Sequence, residues 1–181
     1  MGAKLDGCIV YIYDLSGQQL ATASVTAHNM HTSTIDIEGD IEVSGLIQDN
    51  ARYELLILTS PTPHTYSCTA EKRGSGITLK LFRGGKRELR SDTRYEIRGK
   101  IDVFAYLDGG KVFELYTPQE AALVNISRGG IRFKMKSNSL MKGDTVRIRF
   151  RLEQNEKVLT AHVVNNVDST AGTAEYGCEL V

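Results

Sequence analysis

The stretch Thr145-Val-Arg-Ile-Arg-Phe-Arg-Leu-Glu153 alternates apolar and polar side chains without a break. Val146, Ile148, Phe150 and Leu152 form one set, and Arg147, Arg149 and Arg151 the other. An extended chain sends successive side chains to opposite faces, so one set enters a core while the other stays in water. A helix with 3.6 residues per turn would scatter both sets around its surface. The same period of two recurs at Cys8–Tyr13, Ser33–Ile37, Tyr53–Leu58 and Ile77–Phe82. In the second half it recurs at Glu96–Tyr106, Lys111–Tyr116, Ala121–Ile126, Ile131–Met135, Lys157–Asn165 and Glu175–Val181. Turn-forming residues separate these runs: Asp108-Gly109-Gly110, Gly129-Gly130, Lys142-Gly143-Asp144 and Gln154-Asn155-Glu156. No segment of ten or more residues carries a convincing helical period. The sequence predicts an all-β protein, and closed or semi-closed barrels are the usual protection for so many strand edges.

With 181 residues, the chain has room for one large domain or two small ones. Charge favours two. Residues 1–82 carry five basic and nine acidic side chains, and the remainder 17 and 13, although the whole is neutral. Between Arg83 and Lys100 stand seven basic residues against three acidic ones. Around Arg83-Gly84-Gly85-Lys86-Arg87 the apolar alternation stops and the charge changes sign. The expected organisation is an amino-terminal β-barrel at 1–82, a basic connector at 83–94 and a second β-barrel at 95–181. Tyr53–Leu58 followed by Thr65–Ala70 faintly echoes Thr145–Phe150 followed by Val158–Val163. Any two hairpins give such an echo, and so do two related barrels in tandem.

Hydrophobic residues make up 41% and charged residues 24%, enough for packed cores. Zero net charge argues against a surface built throughout for nucleic acid. Cys8, Cys68 and Cys178 are odd in number and widely spaced, which suits reduced thiols better than disulfides or zinc. The start MGAKLDG lacks the pattern of a signal peptide, and no apolar run reaches the roughly 18–20 residues that cross a bilayer. A cytoplasmic protein without a transmembrane segment is expected.

Catalysis finds no foothold in the sequence. His28, His31, His64 and His162 do not fall into zinc-binding spacing. There is no nucleophile elbow, no phosphate loop, and no cysteine beside a histidine. Asp36, Glu38, Asp40 and Glu42 read as the solvated face of a strand. No enzyme, no metal and no cofactor are expected.

Two short motifs suit a phosphorylated guanine ligand. Arg90-Ser-Asp-Thr-Arg94 is an RxxxR at the exit of the basic connector. The guanidinium is a planar fork that pairs with phosphate oxygens or with guanine O6 and N7. Asn125-Ile-Ser127-Arg128-Gly129-Gly130 fits [D/N]xSxxG between two predicted strands. If the first strand continues through Ser127, Asn125 and Ser127 share a face and offer an amide and a hydroxyl to a base. Gly129 and Gly130 would then supply the positive φ of a tight turn and a close backbone approach.

Order and spacing of RSDTR, NISRGGIRF, GDTVRIRF and a closing Tyr176-Gly-Cys-Glu-Leu180 resemble the PilZ domain family over nearly all of residues 86–181. That resemblance implies a six-stranded β-barrel whose ligand is cyclic di-GMP. It implies that Arg90 and Arg94 grip guanine and phosphate while Asn125, Ser127 and Gly130 hold the other side. Arg87, Arg128 and Gly129 are further candidate contacts. Asn125 stands where the family more often has Asp, which removes a carboxylate acceptor for guanine. The two-part arrangement resembles PilZ proteins of the flagellar-brake type. The implied mechanism is a connector that orders on ligand, fixes the angle between barrels and signals to a downstream protein, with the flagellar motor and export machinery as candidates. The rival readings are a PilZ interaction module without ligand and a barrel that binds single-stranded nucleic acid.

Overall fold

A computed structural model describes residues 4–38, 41–74, 76–82, 94–169 and 172–181. The connector 83–93, with Arg87 and Arg90, lies outside the described residues. The chain divides into two compact units. The first comprises Met1–Thr59, Pro63–Ser91 and Leu152–Glu156, and the second Ser60–Thr62, Asp92–Arg151 and Lys157–Val181.

The first unit holds strands β1 (Ile9–Tyr13), β2 (Gln19–Asn29), β3 (Thr34–Glu38), β4 (Arg52–Ile57), β5 (His64–Arg73) and β6 (Gly76–Phe82). They form a closed barrel in the order β1-β2-β3-β6-β5-β4, sealed by antiparallel pairing of β1 with β4. Alternation explains the core: Ile35 and Ile37 of β3 and Ile77, Leu79 and Leu81 of β6 are buried between more exposed neighbours.

Strand β2 was absent from the expected set. Its inward positions are Ala21, Ala23 and Val25, so the alternation exists but its amplitude is low. A short helix α1 (Ile41–Leu46) was also unexpected. Glu42 belongs to it, so the reading of Asp36, Glu38, Asp40 and Glu42 as one strand face fails at that residue. Six residues are too few to display a helical period in sequence, and α1 buries only Val43 among its described side chains.

The second unit is built from β7 (Tyr95–Asp108), β8 (Lys111–Ile126), β9 (Gly130–Lys136), β10 (Thr145–Leu152), β11 (Asn155–Ser169) and β12 (Thr173–Leu180). Their order is β10-β11-β12-β9-β8-β7, closed by antiparallel β7 and β10. The expected strands 111–116 and 121–126 are one strand. The register slips from Ala105↔Glu114 to Val103↔Gln119, so β8 bulges around Tyr116-Thr117-Pro118 without ending. Val146, Ile148 and Phe150 are buried as the alternation demands. Tyr176 is fully buried, stacks on Phe133 at 5.9 Å between ring centroids, and donates its hydroxyl to the Lys136 carbonyl at 3.2 Å.

Counted from its own first strand, each barrel runs first-second-third-sixth-fifth-fourth before closing first on fourth. The echoing hairpins noted in the sequence are the fourth and fifth strands of each barrel, so the resemblance falls at equivalent positions in one shared connectivity.

Candidate functional site

Cross-strand register on the outside of the second barrel decides what stands beside what. Directly opposed residues of antiparallel strands share a face. Ile126 and Ile131 are opposed and buried, so their neighbours Asn125 and Arg132, also opposed, face outward. Arg132 in turn opposes Gly177, and Gly177 opposes Asn165. One row across four strands therefore reads Asn125, Arg132, Gly177, Asn165. The next row sets Gly130 against Glu179, and Glu179 against His162.

The glycine in the first row sinks the surface. A Cβ on Gly177 would overlap Asn165 Oδ1 and stand 3.1 Å from Asn165 Cγ, so the Asn165 amide lies over the space Gly177 leaves free. The result is a depression of about 370 Å³, within the usual range of small-ligand clefts of about 300–1,000 Å³. Arg94, Asn125, Ser127, Gly129, Gly130, Arg132, Asn165 and Glu179 contribute its polar lining and open backbone.

Of the expected site residues, Arg94, Asn125, Ser127, Gly129 and Gly130 come together here, although about 30 residues separate the first from the rest. Arg94 is exposed and immediately precedes β7, whose Tyr95 opposes Ile126. Arg128 is exposed and outside the lining. Arg87 and Arg90 lie beyond the described residues, so only the second arginine of RxxxR is seen.

Two local expectations need correction. Strand β8 ends at Ile126, so Ser127 does not continue its face. Ser127 is 5% exposed, its N–H donates to the Gly130 carbonyl at 2.8 Å, and its hydroxyl accepts the Gly130 N–H at 3.2 Å. The hydroxyl thus closes the two-residue turn Arg128-Gly129 and lines the depression from that position. The second correction is that neither Gly129 nor Gly130 holds a positive φ. Position 130 must be glycine because a Cβ there would stand 2.9 Å from the Cys178 carbonyl oxygen.

Sequence reasoning missed Arg132, Asn165, Gly177 and Glu179. A glycine inside the strand-like run YGCEL was the one available signal, since an interior strand glycine marks a close approach. The other three depend on register. Arg132 is weakly held: its Nη1 is 3.9 Å from Glu175, which Lys134 already contacts at 2.9 Å. At that distance, with both side chains only half-buried, the pair contributes about 0–1 kcal/mol, so Arg132 is available to an anion. Beneath the lining, burial pushes the Cys178 thiol up to about 12, leaving a neutral and inert sulfur. Among the described residues no cluster of three or more His, Cys, Asp or Glu is placed to hold a metal ion, and no helix is long and apolar enough to cross a membrane.

The lining presents two guanidiniums, two amides, a hydroxyl, one carboxylate and a backbone approachable at glycines. That set suits phosphate oxygens together with the polar edges of a base.

The PilZ domain model matches residues 88–181. Among solved structures, the inhibitor of motility MotI/DgrA of Bacillus subtilis is 14% identical, with all of this chain and 90% of that one covered at a TM-score of 0.35. MrkH of K. pneumonia, solved as its c-di-GMP complex, is 13% identical over 96% of this chain and 78% of that one, TM-score 0.37. YcgR of Escherichia coli, also solved with c-di-GMP, is 11% identical over 97% and 76%, TM-score 0.37. No curated protein matches significantly in sequence.

Proposed function

This chain belongs to the PilZ domain family through residues 88–181, and on that premise we propose that it is a receptor for cyclic di-GMP that works by binding and not by catalysis. The observation that carries the reading is the depression on the second barrel. It gathers Arg94 from one family motif and Asn125, Ser127 and Gly130 from the other around about 370 Å³ of open space.

Each group has a role in this proposal. Arg94, with Arg90 and Arg87 upstream, neutralises phosphate and presents a planar face and fork to guanine. Asn125 offers one acceptor and two donors to a base edge. The Ser127 hydroxyl accepts from Gly130 N–H at 3.2 Å and donates to the Gly130 carbonyl at 3.4 Å, a long bond that it exchanges for one to the ligand. Gly129 and Gly130 let the ligand reach the backbone. Ligand binding then changes the arrangement of the two domains, which we place at 1–82 and 95–181 with the connector between. A downstream protein, the flagellar motor or an export machinery, reads the change.

Titration calorimetry on the full chain tests the ligand. Cyclic di-GMP is expected to bind with micromolar or tighter affinity, about −8 kcal/mol or better, while GTP and single-stranded DNA do not compete. Absence of heat and of any thermal shift at about 100 μM cyclic di-GMP, well above that affinity, overturns the reading.

A further inference from the structure

The register that builds the depression also places one carboxylate in it. Among the described residues that line it, Glu179 is the only acid. It is exposed, and no hydrogen bond or ion pair among the described residues engages it. Its partner in the ladder is Gly130, which has no side chain, so the carboxylate borders the open turn and not another side chain. On its other side stands His162, whose Nδ1 is engaged with Thr145 Oγ1 at 3.1 Å.

A lone carboxylate repels a ligand that carries two phosphates. Its presence is compatible with binding only where the ligand offers it donors. Guanine does so through N1–H and the N2 amino group, which lie side by side and match the two oxygens of a carboxylate. Adenine has no such pair, and hypoxanthine keeps N1–H alone. Asn125 cannot serve the same edge from where it stands. It lies two strands away, about 10 Å in the hydrogen-bonding direction, and an amide supplies a single uncharged acceptor.

We infer that Glu179 is a specificity-determining residue of this site, accepting the N1–H and N2–H2 donors of a guanine edge that Asn125 does not reach. The inference rests on the proposed cyclic di-GMP site. Glu96 provides an internal contrast. It opposes Asn125 in the ladder, but it is not part of the lining and has another interaction of its own.

The experiment is calorimetry on the full chain, comparing wild type, Glu179→Gln and Glu96→Gln, with cyclic di-GMP and its inosine counterpart, which lacks the N2 amino groups. Wild type is expected to prefer the guanine ligand by about tenfold or more. Glu179→Gln is expected to weaken cyclic di-GMP binding by at least about tenfold and to narrow the gap to the inosine ligand. Glu96→Gln should leave both affinities within about twofold, well under the tenfold that a charge-assisted pair carries. Thermal unfolding of each variant verifies the fold, which is expected to hold because Glu179 is exposed and β12 pairs through its backbone. A folded Glu179→Gln that binds cyclic di-GMP like wild type, or a wild type indifferent to the N2 amino group, overturns the inference while leaving the receptor reading intact. A wild type that binds neither ligand overturns both.

Discussion

Gly130 and Cys178 touch through their backbones: a methyl group at position 130 would stand 2.9 Å from the Cys178 carbonyl oxygen. That oxygen belongs to the β9–β12 ladder, so it cannot swing aside as a side chain could. Gly130→Ala is therefore expected to cost about 1–3 kcal/mol of stability through forced backbone movement. Thermal unfolding should show it as a drop of several degrees without ligand. A variant that melts like wild type would mean the ladder relaxes at no cost.

Arg94 is exposed and precedes the first strand of its barrel, so in the proposed receptor it serves the ligand and not the fold. Arg94→Ala should weaken cyclic di-GMP binding by more than about tenfold, the loss of roughly 1.5–3 kcal/mol from charged hydrogen bonds. Arg94→Lys should recover little of this, because an ammonium keeps the charge but not the planar fork. Calorimetry of both variants beside an unchanged melting curve decides it.

Ser127 and Asn125 should separate in the opposite manner. The Ser127 hydroxyl holds Gly130 N–H in the turn, so Ser127→Ala should lose about 1 kcal/mol of stability even without ligand. Asn125 faces outward, half-buried, and Asn125→Ala should alter affinity while leaving unfolding nearly unchanged. Equal melting temperatures for the two variants would sink this division of labour.

Cys68 and Cys178 bear on pH. Burial pushes both thiols up to about 12, against an ordinary value of 9.0. The folded state therefore favours the neutral thiol. Its contribution is complete below about 9 and is lost as pH climbs from there toward about 12. Alkaline solutions above pH 9 should lower the melting temperature, and alkylation at pH 8 should proceed only after denaturant exposes the sulfurs. Rapid native-state alkylation of Cys178 would contradict its burial.

Strand content was readable wherever inward side chains were large. It faded at β2, where Ala21 and Ala23 are too small to set the buried face clearly apart from the outer one. Helix α1 is too short to show a period, and the β8 bulge around Tyr116-Thr117-Pro118 looked like a break because bulges interrupt alternation. At the candidate site, Arg94, Asn125, Ser127 and Gly130 were legible because their motifs are contiguous in the chain. Arg132, Asn165, Gly177 and Glu179 were not, because only the pairing of β9 with β12 and of β12 with β11 makes them neighbours. Register is a relation between distant segments, and alternation within one segment does not encode it. Ser127 was placed on the strand face of Asn125, and that failed for a local reason: the strand stops one residue before it.

The shared strand order has a consequence for how the chain is made. Each barrel draws its six strands from one uninterrupted stretch, the first ending at Phe82 and the second starting at Tyr95. Two like-ordered barrels could exchange equivalent strands if both were open together, the characteristic misassembly of repeated architectures. Synthesis at about 5–20 residues per second leaves only about 1–5 s between completion of β6 at Phe82 and completion of β7 at Asp108, the second barrel's first strand. Small β-barrels close in roughly milliseconds to seconds. A first ring that closes within that interval seals its β1–β4 seam before a rival edge exists, and the order of emergence then keeps two similar folds from mixing.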